Sequence, residues 1–237
     1  MRSLLLVVVL LVVVGCNGSA GTETTVSSTA ATSTSTTLAV TTTATASITT
    51  TTQPVTTTSV SDLSLADYPA NPETLEDIPE TLVAYIGAAM PDPDLTITGP
   101  EDLDRWMSGW LDWLAWTHAN PTEGSEQLEV NMVPGTDQFA ALQAALVERA
   151  EAGNHLLGGG FLLVSLSGTF DEFFEDKSAL RITIVAQSPP SYLVDGDGNV
   201  VSVFDALEGE VTVSALLRYD PERDEWLMET FEVLGRS

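Results

Sequence analysis

Apolar residues change their rhythm along this chain, and each rhythm predicts a different kind of segment. Leu4 to Val14 is an unbroken apolar run with Arg2 before it and the small residue Gly15 after it. From Asn17 to Ser61 there is no period at all, only Thr, Ser and Ala with a few Val. Between residues 79 and 154 apolar positions recur every three or four residues, the spacing of one face of a helix. After Gly153 they alternate, the spacing of a strand with one buried face.

The helical region divides at its prolines and glycines. A first helix is expected from Pro79 to Met90, with Leu82, Val83 and Ile86 on one face and "PDPD" as its stop. A second lies in "GPEDLDRWMSGWLDWLAWTHANPT". Pro100, Glu101 and Asp102 suit its first turn, Asn120-Pro121 ends it, and Leu103, Trp106, Met107, Trp110, Trp113, Leu114 and Thr117 form one broad stripe. A third spans residues 134 to 154, capped by Thr136 or Asp137, striped by Phe139, Leu142, Leu146 and Ala150, and stopped by Gly153.

Five alternating segments follow. "HLLGGGFLLVSLSG" reads as one strand bent at its glycines, "ALRITIVAQS" as a second, and "SYLVDGDGNVVSVF" as a short hairpin. "EGEVTVSALLRYD" and "EWLMETFEVLG" form a final pair across "DPERD". Val211, Val213, Ala215, Leu217 and Tyr219 share a face of the first, and Leu227, Phe231 and Val233, interrupted by Glu229, share one of the second. Helices first and an antiparallel meander afterwards make the expected fold class α+β.

The opening run has the charged, apolar and small-residue order of a secretory signal peptide over residues 1–15, and it is short for a membrane span. Cys16, directly after it, is the one Cys in the chain. An internal disulfide is excluded, which leaves a core thiol, a catalytic nucleophile or a processing site. A core thiol needs a folded neighbourhood, and a nucleophile needs a base. The residues that follow are Thr and Ser, and no His precedes His118. "VVGC" resembles the lipobox of bacterial lipoproteins. That resemblance implies diacylglycerol on Cys16, cleavage after Gly15, acylation of the new amino terminus and an extracytoplasmic protein held at the membrane by lipid.

Residues 16–61 form a stalk too poor in apolar surface to fold, so disorder is expected there. Fully extended, it reaches about 150 Å. All five Trp, four Tyr and seven Phe lie beyond it. Residues 62–99 are acidic and rich in Pro, an arm laid along the domain or a continuation of the stalk, and residues 100–237 form the domain. The net charge is −26, with every Lys and Arg after Arg2 at or beyond position 105. Such a surface repels nucleic acid, and its plain meaning is solubility.

The succession of an aromatic helix ending in "ANPT", "QFAALQAALVERAEAGNHLLGG" running into a strand, "RITIVAQSPPSYLVDGDGNVV" and "VTVSALLRYDPERDEWLMETFEV" resembles the NTF2-like fold. In particular it resembles the secreted or lipid-anchored NTF2-like proteins common in actinobacteria. From Pro100 to Leu234 the resemblance implies a cone, a strongly bent antiparallel sheet wrapped around helices, with homodimers paired across the convex sheet face as one arrangement. "DPERDE" stands where the family has a short Gly turn before its Trp, here Trp226.

Candidate chemistry is sparse. Trp106, Trp110 and Trp113, with Leu217 and Trp226 from the sheet, would line a pocket for a small apolar ligand, and they equally suit a core. The resemblance also covers isomerases and dehydratases, for which His118 or His155 would be the base. "DGDGN" has the one-three-five spacing of a calcium loop. It lacks that loop's Gly and terminal Glu, since Val200 and Ala206 stand there, and reads better as a hairpin turn. No phosphate loop, zinc spacing or nucleophile elbow is present, so neither metal nor cofactor is expected. The functional reading is a non-catalytic binding or scaffolding module that meets a cell-envelope protein or small apolar ligand. A small-molecule enzyme is the alternative.

Overall fold

The computed structural model describes residues 63–168 and 179–236. The apolar leader, Cys16 and the Thr/Ser stretch lie outside the described residues. Four α-helices and seven strands are present among those described: α1 (Glu80–Val83), α2 (Leu103–Ala119), α3 (Pro121–Glu126), α4 (Asp137–Ala152), β1 (His155–Leu157), β2 (Leu162–Gly168), β3 (Ala179–Gln187), β4 (Ser191–Val194), β5 (Val200–Phe204), β6 (Glu210–Asp220) and β7 (Glu225–Arg236). The class is α+β. No helix of the described residues is long and apolar enough to cross a membrane.

The strands form two antiparallel sheets, one ordered β1-β4-β5 and the other β2-β3-β6-β7. This departs from a single meander, because the β4-β5 hairpin leaves the main sheet and β6 returns to pair with β3. The cause lies in "HLLGGGF". Gly158 has a left-handed φ of 80°, and a Cβ there would stand 2.9 Å from the Pro190 carbonyl oxygen. The chain turns sharply at this point, so the expected bent strand is two strands in two sheets.

α2 is buried on nearly every side because it packs against both sheets. Trp106, Met107, Trp110 and Trp113 join Leu180, Ile182, Ile184, Val211, Val213, Ala215, Leu217 and Met228 in the main core. Ala115 and Ala119 face a second core with Leu157, Tyr192 and Val194. α4 begins and ends at the expected caps: Thr136 Oγ1 accepts from the Phe139 N–H at 3.2 Å, and Gly153 takes φ 66°. Position 150 is half-buried, however, and Arg149 occupies the buried place.

Residues 63–99 are built into the domain. Tyr68, Ile78 and Leu82 lie in the second core, and Leu95 and Ile97 in the first. Backbone bonds tie this segment to both sheets: Leu75 N–H to the Gly198 carbonyl (3.0 Å), Val200 N–H to Glu73 (2.9 Å) and Trp226 N–H to Leu95 (3.0 Å). The first helix stops at Val83, well short of Met90. Gly87 has a left-handed φ of 69°, and the Asn120 side chain bonds the Gly87 N–H and the Tyr85 carbonyl, holding a turn in place of more helix.

The β6-β7 hairpin shows how "DPERD" replaces a Gly turn. Asp224 itself takes φ 55°, Asp220 accepts from the Glu222 N–H at 2.9 Å, and Arg223 reaches back to the carbonyls of Glu129 and Val130 at 2.8 and 2.7 Å. Leu216 pairs with Thr230 and Leu217 with Met228, so Glu229 is the extra residue of a bulge. The bulge moves the inward face of β7 from Trp226 and Met228 to Phe231, with Val233 partly buried beyond it.

Candidate functional site

The sequence points to two sets of residues, the aromatic stripe of α2 and the two histidines. Helical spacing puts Trp106, Trp110, Trp113 and Thr117 on one face of α2. Trp106 Nε1 donates to the Trp226 carbonyl at 3.3 Å, joining two of the five pocket candidates. Trp110 is tilted against Trp113, with centroids 6.3 Å apart, and against Phe231 at 5.0 Å. Phe231 in turn meets Phe161 at 5.4 Å. Leu217 is fully buried opposite Met228. All five candidates are therefore core side chains, and their packing energy is that of a core.

The stripe still differs from an ordinary core in its polar atoms. The indole N–H of Trp110, the indole N–H of Trp113 and the Thr117 hydroxyl are buried without a hydrogen-bond partner. Buried indole N–H groups ordinarily find acceptors, and each one left without costs about 1–3 kcal/mol. Asn131, fully buried nearby in sequence to the main-core residue Met132, leaves both amide atoms without partners.

His118 lies in the C-terminal turn of α2, and His155 at the start of β1 packs against that helix end. Arg149 Nη1 lies 2.7 Å from His118 Nδ1. A guanidinium only donates, so Nδ1 accepts and His118 is the neutral tautomer protonated on Nε2. Burial, and then the charge of Arg149, hold its basicity well below the ordinary histidine range. Such a ring is a poor general base at neutral pH. His155 Nδ1 lies 2.6 Å from the Ala119 carbonyl, so here Nδ1 carries the proton. Neither ring has a carboxylate partner among the described residues, and these contacts set the two histidines apart in role: one accepts from a buried cation, the other ties β1 to the end of α2.

Arg149 is the residue that sequence reasoning missed. It follows Leu142 and Leu146 at seven and three residues, the apolar stripe of α4, and that spacing was the available signal. Asn120 was read only as a helix stop. Its amide in fact accepts from Gly87 N–H (2.7 Å) and donates to the carbonyls of Tyr85 (2.7 Å) and Trp116 (3.0 Å).

In "DGDGN", Asp195 Oδ1 accepts from the backbone N–H groups of Asp197 and Asn199 at 3.0 and 2.9 Å, the self-bonded turn of a hairpin. No cluster of three metal-ligating side chains occurs among the described residues.

No family model matches the chain, and no curated protein matches it. Among solved structures it is similar to the intermembrane space region of the chloroplast protein ARC6. That likeness is 15% identity over 59% of this chain and 98% of the other, with a TM-score of 0.39. At that level it transfers neither fold nor function.

Proposed function

We propose that this protein is an exported lipoprotein, held at the membrane through Cys16 and a Thr/Ser-rich stalk, whose folded domain is a non-catalytic binding module of NTF2-like shape. The observation that carries the binding role is the α2 face on which Trp110 and Trp113 bury indole donors without acceptors. An interior built only for packing would place apolar side chains there. A flat ligand bearing an acceptor oxygen satisfies the donors and stacks on the ring cluster.

Three register shifts in the main sheet, between Leu163 and Ser165, Thr212 and Val213, and Leu216 and Leu217, support a sheet bent around α2 as in the NTF2-like cone. The depressed basicity of His118, and the absence of a carboxylate partner for either histidine among the described residues, weigh for binding over isomerase or dehydratase chemistry.

Quenching of Trp fluorescence by 2-acetylnaphthalene, a neutral flat ketone, tests the domain. Saturable quenching that weakens about tenfold, the loss of one hydrogen bond of about 1.4 kcal/mol, in Trp110→Phe or Trp113→Phe supports the reading. Absence of saturable quenching by the wild-type chain contradicts it. The anchor is tested by the mass of the amino-terminal peptide from native membranes: an acylated Cys16 is expected, and an unmodified amino terminus upstream of it overturns that part.

A further inference from the structure

We propose that the C-terminal ends of α2 and α4 form a binding site for a small carboxylate, with Arg149 as the residue that holds it and His118 as the group that fixes the guanidinium in place. The chain has 34 acidic residues and 8 basic ones, so carboxylates to pair with an arginine are abundant. Three surface arginines use them: Arg105 pairs with Asp94 and Asp102, Arg218 with Glu229, and Arg223 with Glu225. Arg149 is only 6% exposed, needs a counter-charge more than any of these, and makes no ion pair among the described residues; the charge of Glu148, its neighbour in the chain, acts on it without pairing.

Its hydrogen bonds are also incomplete. Nη1 donates to His118, and Nη2 is buried with no acceptor. Burial pushes its pKa down to about 10, which leaves it charged at neutral pH. A buried cation with an open pair of N–H groups has the geometry and charge for a planar carboxylate, the partner that guanidinium engages in a fork.

His118 links this cation to the glycine turn between β1 and β2. Its ring accepts from Arg149 at Nδ1, while its Cδ2 would stand 3.4 Å from a Cβ on Gly159. The next residue, Gly160, is buried, yet nothing lies within 4 Å of where its Cβ would be. This open side adjoins Gly159, the residue packed on His118. The glycines of "HLLGGGF" therefore do two things: Gly158 turns the chain between sheets, and Gly160 leaves room.

This site does not use the α2 indoles, so its fate and that of the aromatic-face reading are separable. The test is thermal unfolding of the full chain titrated with sodium acetate, ionic strength being held constant with sodium chloride, beside a parallel titration with sodium sulfate. Acetate is expected to raise the melting temperature saturably where chloride and sulfate do not. Arg149→Met should fold and lose that response, Arg149→Lys should weaken acetate at least tenfold, and Trp110→Phe and Trp113→Phe should leave it intact. Should Arg149→Met not fold, the guanidinium NMR signals of Arg149 in the wild-type chain decide, and a shift on adding acetate is expected. A wild type indifferent to acetate, an Arg149→Met variant that still responds, an equal response to sulfate, or unchanged guanidinium signals would each overturn the assignment.

Discussion

Asn120 and Arg149 meet the same turn of α2 from opposite situations. Asn120, one residue past the helix, is buried and spends its amide fully, on Gly87, Tyr85 and Trp116. Arg149, on a neighbouring helix, is equally buried, carries a charge, and leaves Nη2 with nothing. The first arrangement is how a protein fastens an arm to a helix: every polar atom is used, and removing the side chain strands the others. The second is how a protein keeps a donor ready. What distinguishes a structural polar group from one available to a ligand is the account of its bonds, since burial is the same for both.

That contrast orders the expected effects. Asn120→Leu should be the most damaging, about 3 kcal/mol or more by chemical denaturation, because it leaves the Gly87 N–H and the Tyr85 carbonyl buried and without partners. Gln138→Ala should follow at about 2 kcal/mol, since its amide both accepts from and donates to Phe231 on the outer side of β7, at 2.5 and 2.7 Å.

Acid gives the next effect. His118 titrates lower in the folded chain than its ordinary 6.5, so the unfolded chain binds a proton that the folded one refuses. Stability is therefore fully present above 6.5 and falls below it, by up to about 1.4 kcal/mol per pH unit. His118→Gln should flatten that stretch in denaturation curves taken between pH 5 and 7. Asp67, Asp77, Asp94, Asp102 and Asp195 have lowered values, so their contribution is lost only in more acidic solution, below the ordinary carboxylate range. Thr136→Ala removes the α4 cap at about 1 kcal/mol. Arg149→Met takes away a buried charge with an open donor and leaves only His118 Nδ1 without its partner, so its cost should be no more than about 1 kcal/mol.

Much of the scaffold was legible in the sequence because its signals are local. Pro100, Thr136 and Gly153 mark the ends of α2 and α4, and alternation marks β3, β6 and β7. What was not legible depends on partners distant in the chain. The first helix is short because Asn120, more than thirty residues later, holds a turn at Gly87. "HLLGGGF" divides between two sheets because Pro190 crowds Gly158. Glu229 interrupts an apolar face because it is a bulge residue, paired with Arg218 at 2.7 Å. The stripe of α2 is buried, but so are Leu111, Ala115 and Trp116 off it, and which indoles keep acceptors depends on distant carbonyls, Trp226 for Trp106 and Ala88 for Trp116. Arg149 broke an apolar pattern, and a charge at a stripe position was the one local sign that something other than packing is served there.

Incomplete bonding, and not burial, is what marks Arg149 as kept for a ligand. It is tested most directly by the unfolding free energies of Asn120→Leu and Arg149→Met measured side by side in ligand-free buffer. A loss of about 3 kcal/mol is expected for the first and a value within about 1 kcal/mol of wild type for the second. A loss for Arg149→Met as large as that for Asn120→Leu would contradict it, making Arg149 part of the fastening and leaving no donor in reserve.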